Sequence, residues 1–230
     1  METETGNALK SATLLDIGAN IGMVGIQMLG SGLMKRSISF EPDPTNFALL
    51  WSSVRLNALE DRFDLHACAL GAEKGACQFE VSDTNAGDHR VRLGSSSHTA
   101  GEKYEESSRK VISVPMQRLD DLLDNAPGDF TRRIGLCWID VQGFEGEVLR
   151  GGLKHFGTFG WPTVLEFWPY GLQRAGNSAE KIESLLTGIW NKFAVLENEA
   201  PLQWHPISHL REIWNTVGTE SDFVDLLLIR

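Results

Sequence analysis

Cysteine is scarce in this chain of 230 residues. Cys68, Cys77 and Cys137 lie far apart, with no Cys-x-x-Cys pair and no cysteine–histidine spacing suited to a metal. That sparse, odd count argues against a disulfide-built scaffold and a zinc module. It predicts reduced thiols in a cytoplasmic compartment. Cys68 and Cys137, set in apolar runs, read as small buried hydrophobes. Long hydrophobic runs are missing too. Nothing approaches the roughly 18–20 apolar residues of a membrane span, and the acidic N-terminus does not read as a signal peptide. No membrane partner is expected. Basic charge is the third shortage: 21 Lys and Arg stand against 31 Asp and Glu, a formal net charge of −10. Such a surface repels a free phosphate backbone, so nucleic acid is not the expected partner.

What is present is the balance of a soluble globular protein, 42% hydrophobic and 23% charged residues. With no internal repeat and no interdomain linker, residues 1–230 read as one domain, long enough to bury a substantial core. Residues 13–17 (TLLDI) form a short apolar run before a glycine turn. Ile21, Val24, Met28 and Leu29 then recur at helical spacing up to Gly30–Gly32. Ser37–Phe40 reads as a second strand ending at Glu41. Asp43 and Pro44 open a helix whose buried face carries Phe47, Leu50, Trp51, Val54 and Leu59. Phe63–Leu70 is a third strand. Between residues 71 and 115 the rhythm breaks into an inserted hairpin, Ala76–Val81 with Lys110–Val114, around a polar loop over 82–109. Ile134–Asp140, Thr163–Trp168, Phe193–Glu197 and Phe223–Ile229 complete seven main strands, with a helix over Ala179–Trp190. Alternation of this kind implies a parallel sheet covered on both faces by helices, with ligands bound at the loops that follow the strands.

The first of those loops, in LLDIGANIG, poses a choice between cofactors. A dinucleotide turn reads G-x-G-x-x-G, but from Gly18 the second and third glycine positions hold Asn20 and Met23. Asp16 at the strand end would repel a phosphate. A carboxylate there suits a cation, and S-adenosylmethionine carries a sulfonium and an ammonium but no phosphate. Glu41, at the end of the next strand, is placed to accept from both hydroxyls of a ribose. The structural alternatives are a helix cap for Asp16 and a solvated strand end for Glu41. In IGLCWIDVQGFEGEVLRGG (134–152), Asp140 ends an apolar strand in the same crevice. Glu145 and Glu147 begin a helix, where the dipole alone favours acids.

These segments, in order, resemble a known family. Asp16-Ile17-Gly18-Ala19-Asn20-Ile21-Gly22, Phe40-Glu41-Pro42-Asp43-Pro44, Ala69-Leu70-Gly71, Leu119-Asp120-Asp121-Leu122-Leu123 and Ile139-Asp140-Val141 with Gly143 and Glu145 resemble the FkbM-type S-adenosylmethionine-dependent methyltransferases. The resemblance implies an α/β fold: a class I methyltransferase, Rossmann-like, doubly wound seven-stranded sheet. Its order is 3-2-1-4-5-7-6 with strand 7 antiparallel. It also implies that Asp16, Gly18, Asn20 and Gly22 line the methionyl side of the cofactor. Glu41 would hold the ribose, and backbone around Ala69 would approach the adenine. Asn46 is counted with the cofactor-binding positions, and Asp140 sits near the amino group or the acceptor. Two positions depart from the family's Lys-Ile-Asp-Val-Glu-Gly: Trp138 stands for the lysine and Gln142 for the glutamate.

Methyl transfer from a sulfonium is an in-line displacement in which positioning contributes much of the rate. An alcohol acceptor also needs a base, and Asp140, Glu145 and Glu166 are the candidates, Asp140 first by geometry. His89, in GDHRVR, is either a lid residue or an exposed loop histidine. Three acids near one crevice can also hold a divalent metal, but nothing in their spacing demands it and no metal ligand is assigned. Of the aromatic cluster, Trp161 and Phe167 read as core, while Trp168 and Tyr170 read as lining an acceptor pocket. The expected activity is O-methylation of a sugar or natural-product hydroxyl on a small-molecule acceptor. N-methylation, RNA methylation and non-catalytic cofactor binding are the alternatives.

Overall fold

The computed structural model describes residues 10–92, 104, 108–126, 130–197, 201–220 and 222–230. The chain runs β1 (Thr13–Ile17), α1 (Met23–Gly30), β2 (Arg36–Phe40), α2 (Pro44–Leu56), β3 (Phe63–His66), β4 (Ala69–Leu70), β5 (Gly75–Val81), β6 (Arg90–Val91), β7 (Lys110–Gln117) and α3 (Leu119–Asp124). It continues through β8 (Ile134–Ile139), α4 (Glu145–Gly151), α5 (Leu153–Phe159), β9 (Thr163–Phe167), α6 (Pro169–Arg174), α7 (Ala179–Thr187), β10 (Lys192–Val195), β11 (His205–Pro206), α8 (Leu210–Val217) and β12 (Val224–Ile229). No described helix is long and apolar enough to cross a membrane.

All five residues of β1 are buried, as a strand covered on both faces must be. Successive side chains alternate between those faces. Leu14 joins Leu29, Leu50, Val54 and Phe63 beneath α1 and α2. Leu15 and Ile17 join Val148, Phe156, Leu172 and Leu186 beneath the helices of the opposite layer. The central sheet has the order β11-β10-β12-β9-β8-β1-β2-β3. β12 runs antiparallel to both β9 and β10. With the two-residue edge strand β11 set aside, that is the expected 3-2-1-4-5-7-6 order with its antiparallel last strand.

Three local expectations need correction. The run Phe63–Leu70 is broken after His66: β3 pairs with β2 in the central sheet, whereas β4 pairs in parallel with β7. The expected hairpin is present as β5 and β7, but β4 and β6 enlarge it to a second, four-stranded sheet in the order β4-β7-β5-β6. Phe79, Val91 and Val114 form its core, with Phe144 packed against it from the loop after β8. In α2 the buried stripe is Asn46, Leu50 and Val54, four residues apart. Trp51, one step round the helix from Leu50, is 46% exposed. The start of α2 is as expected, with Asp43 Oδ1 accepting from the N–H groups of Thr45 and Asn46 at 2.9 and 2.8 Å.

The two sheets are locked together where α4 meets the turn after β4. A Cβ on Gly151 would stand 2.0 Å from the Gly71 carbonyl oxygen, so the helix reaches that backbone only as glycine. Helix propensity alone favours Gly151→Ala, but the clash with a backbone atom reverses the sign. Gly151→Ala is expected to destabilise by about 2–3 kcal/mol. Urea unfolding should show a lower midpoint at unchanged m.

Candidate functional site

The strand ends of β1 and β8 meet almost backbone to backbone. Gly18 has φ +88°, and a Cβ there would lie 1.8 Å from the Asp140 carbonyl oxygen. The Gly18 and Ala19 N–H groups both donate to the Phe40 carbonyl, at 3.0 and 2.9 Å, and Asp140 N–H donates to Ile17 at 3.0 Å. Asn20 follows in the left-handed region at φ 51°, a conformation asparagine tolerates better than most residues. The turn is thus pinned to β2 on one side and β8 on the other.

Glu41 completes the pinning. Its Oε2 accepts from the Asn20 N–H and its Oε1 from the Asp43 N–H, both at 2.8 Å. One carboxylate therefore fixes the turn after β1 and the start of α2. Burial pushes its pKa up to about 7. Each oxygen keeps acceptor capacity for a further donor.

Between these strand ends and the second sheet lies a cavity of about 650 Å³, its mouth included. The structure brings Gly18, Asn20, Glu41, Asn46, Ala69 and Asp140 together on its wall, six of the expected cofactor positions. Asp16 and Gly22 do not line it, contrary to expectation. Strand alternation turns Asp16 toward α1, where a Cβ on Gly25 would stand 3.2 Å from its Oδ2. Asp16 is 1% exposed, and burial, with the charge of Asp140 second, pushes it up to about 7. Gly22 caps α1 at φ 93° and packs against Leu50 of α2.

The far wall was largely missed by sequence reasoning. Ala86, Gly87, His89 and Val91 of the second sheet and its loop line the cavity. The side-chain amides of Asn20 and Asn46 both donate to the Ala86 carbonyl at 3.0 Å, strapping residues 82–89 across it. His89 is half-buried on this strap, which removes the exposed-loop alternative. Its place in GDHRVR was the one signal of the strap that the sequence offered.

The three candidate bases separate. Glu145 is 1% exposed, and its Oε1 accepts from the N–H groups of Val141 and Gly143 at 3.2 and 3.0 Å. It clamps the loop after β8 and does not line the cavity just described, and burial pushes it up to about 7. Asp140 lines the cavity just described. Glu166 lies beyond it, lining a second hollow with Tyr104, Trp168 and Phe223. Gln142, at φ 55°, stands between them and lines both spaces, as Gly87 does. Its Nε2 lies 2.8 Å from Asp140 Oδ1 and 3.1 Å from each Glu166 oxygen. Burial raises the pKa of both carboxylates. Glu166 is carried well above the usual range, with the charges of Asp140, Glu145 and Asp225 adding to burial.

Of the aromatic pair expected at an acceptor pocket, Trp168 lines the second hollow and Tyr170 does not. Tyr170 packs against Tyr104 with ring centroids 5.4 Å apart. Behind this wall the Arg90 guanidinium lies 5.1 Å from the Tyr104 and Trp168 rings, and Asp88 pairs with both Arg90 and Arg109.

A doubly wound sheet of this order, with a cavity at the ends of β1, β2 and β8, defines a class I, Rossmann-like methyltransferase. The chain belongs to the methyltransferase FkbM domain family, whose pattern it matches over residues 16–188. It is 25% identical over 147 residues to Methyltransferase 1 of Beauveria bassiana, covering 60% of this chain and 57% of the relative. It is 29% identical over 143 residues to the 2-O-methyltransferase NoeI of Sinorhizobium fredii, covering 60% and 56%. The crystal structure of Methyltransferase FkbM from Methylobacillus flagellatus superimposes with a TM-score of 0.53 at 14% identity, over 95% of this chain and 44% of that one. The chain therefore spans little more than half the length of these two relatives, and the structural likeness speaks for the fold.

The raised pKa of Asp16 fixes the sign of a pH effect. A carboxyl whose folded pKa lies near 7 binds more protons in the folded than in the unfolded state between pH ~4 and ~7. Its contribution to stability is full below that window and is lost as pH rises through it. Asp16→Asn should flatten this part of the urea-midpoint profile between pH 5 and 8.

Proposed function

We propose that the chain binds S-adenosylmethionine in the cavity behind the Gly18 turn and methylates a hydroxyl of a sugar or natural-product acceptor held in the second hollow. The observation that carries this reading is the shared wall: Gln142 and Gly87 line both spaces, with Asp140 on the cofactor side and Glu166 on the other. The residues present fit the cofactor. Cys68, Ala69, Leu70 and Phe79 offer an apolar slot for adenine. The Glu41 carboxylate has acceptor capacity for the ribose diol, and the bare backbone at Gly18 admits the methionyl chain. Asp140 supplies negative charge for the ammonium.

When bound, S-adenosylmethionine supplies a methyl group on a positively charged sulfur. The chain's own work is to hold the acceptor oxygen in line with that carbon and to remove its proton. Glu166 suits the second task. It lines the acceptor hollow, and its raised pKa makes it a stronger base than an ordinary carboxylate once it is ionised. With the cofactor held at Gly18, Glu41 and Asp140, Glu166 would take the acceptor hydroxyl's proton as its oxygen accepts the methyl group, and the carbon–sulfur electron pair would stay on sulfur. The printed name of NoeI, a 2-O-methyltransferase, supports a hydroxyl acceptor. The carboxylates Asp140 and Glu166 would also attract an amine, so N-methylation is the second reading. The free thiols Cys68, Cys77 and Cys137 fit a reducing cytoplasm.

An acceptor screen across alcohols, sugars, amines and RNA, read by release of S-adenosylhomocysteine, tests the assignment. Turnover on amines alone would replace the hydroxyl reading, and silence across the panel would sink catalysis. Glu41→Ala is expected to weaken S-adenosylhomocysteine binding about tenfold or more in calorimetry, since a buried acceptor set is lost. Glu166→Gln should lower the methylation rate by ~10²–10⁴ with cofactor affinity nearly unchanged. In the wild type, kcat should rise with pH through the raised Glu166 pKa, because the ionised form is the base.

A further inference from the structure

His89 stands on the cavity wall with one ring nitrogen already committed. The Ser82 N–H donates to its Nδ1 at 3.0 Å. An Nδ1 that accepts carries no proton, so the neutral ring carries its proton on Nε2. Among the described residues no other hydrogen bond to the ring is present. The ring is held edge-on to Phe79, with centroids 6.4 Å apart. The same cavity is lined by the apolar side chains of Cys68, Ala69, Leu70, Phe79 and Val91. Apolar side chains with the His89 N–H beside them are matched by a purine, whose ring nitrogens accept and whose faces are apolar.

We propose that His89 is a specificity residue for the cofactor: its Nε2–H donates to a ring nitrogen of the adenine, so the 82–89 strap reads the base as well as covering it. This rests on the S-adenosylmethionine reading above. The donor form is maintained at neutral pH. Burial lowers the His89 pKa and outweighs Asp43, Asp88 and Asp83, which raise it, while Arg109 lowers it further. Protonation would put a second donor at Nδ1, facing the Ser82 N–H, and would undo the strap's own turn.

The test is calorimetry on the full chain with S-adenosylhomocysteine and with its 1-deaza, 3-deaza and 7-deaza analogues. For the wild type, the analogue lacking the paired nitrogen should bind about five- to tenfold more weakly than its parent. His89→Asn keeps an oxygen for the Ser82 N–H but removes the Nε2 donor. It should bind the parent compound five- to tenfold more weakly and should no longer discriminate that analogue. His89→Gln, which returns an N–H donor near Nε2, should recover part of the discrimination. Equal binding of all three analogues and the parent by the wild type would overturn the proposal, as would His89→Asn binding the parent like the wild type. If the wild type binds no S-adenosylhomocysteine at all, the cofactor reading itself falls, a result distinct from lost discrimination.

Discussion

The approach of Gly18 to the Asp140 carbonyl is the contact on which the site depends. It occurs where β1 and β8 end side by side, and it leaves no room for a side chain. Because the turn is pinned there and also to Phe40 and Glu41, the ends of three strands are held at one level. The second sheet then has a fixed edge to close against, and Asn20 and Asn46 hold its strap through a single carbonyl. A looser turn would separate the acids from one another and the strap from both asparagines.

The central sheet was legible because its strands carry strong, separate signals. Apolar runs ending in Asp16, Glu41 and Asp140 gave the strand ends, and Asp43-Pro44 gave the helix start. The order followed from the family resemblance and is met strand for strand. The second sheet was legible only as a hairpin. β4 and β6 are two residues each, too short for any periodicity, and β4 is separated from β3 only by the short break after His66. Placement on the cavity wall was legible for Gly18, through its backbone turn, and for Glu41, through its strand end. It was illegible where the direction of a side chain decides. Asp16 lies next to the turn in sequence but points to the opposite side of the sheet from Ile17. Glu145 has the composition of a catalytic acid and the contacts of a loop clamp.

The two departures from the family pattern gain a physical meaning from register. Trp138 is paired with Asp16 across β1 and β8, so a lysine at that position would stand beside the buried carboxylate. Tryptophan instead packs with the α1 and α2 core and supplies no charge. Burial is then uncompensated, and the carboxyl moves toward its neutral form. Gln142 has the reverse effect at the other end of the site. A glutamate there would add a third acid between Asp140 and Glu166, while the amide donates to both. The substitutions leave one acid without a cation and give two acids a shared donor.

That distribution of charge bears on the direction of the reaction. Glu41, Asp140 and Glu166 all have raised pKa values and all line the two spaces, so ionising them is costly while no cation is near. In the proposed cycle the arriving cofactor carries a sulfonium and an ammonium, which offset that cost and favour the ionised carboxylates, including the base. After transfer the sulfur would be neutral and the acceptor's proton would lie on Glu166. The attraction that favoured the substrate is therefore weaker for the product at two points, the lost sulfonium and the neutralised base. In that cycle the same buried acids would recruit the cation and supply the base, and their attraction for the spent cofactor would be the weaker of the two.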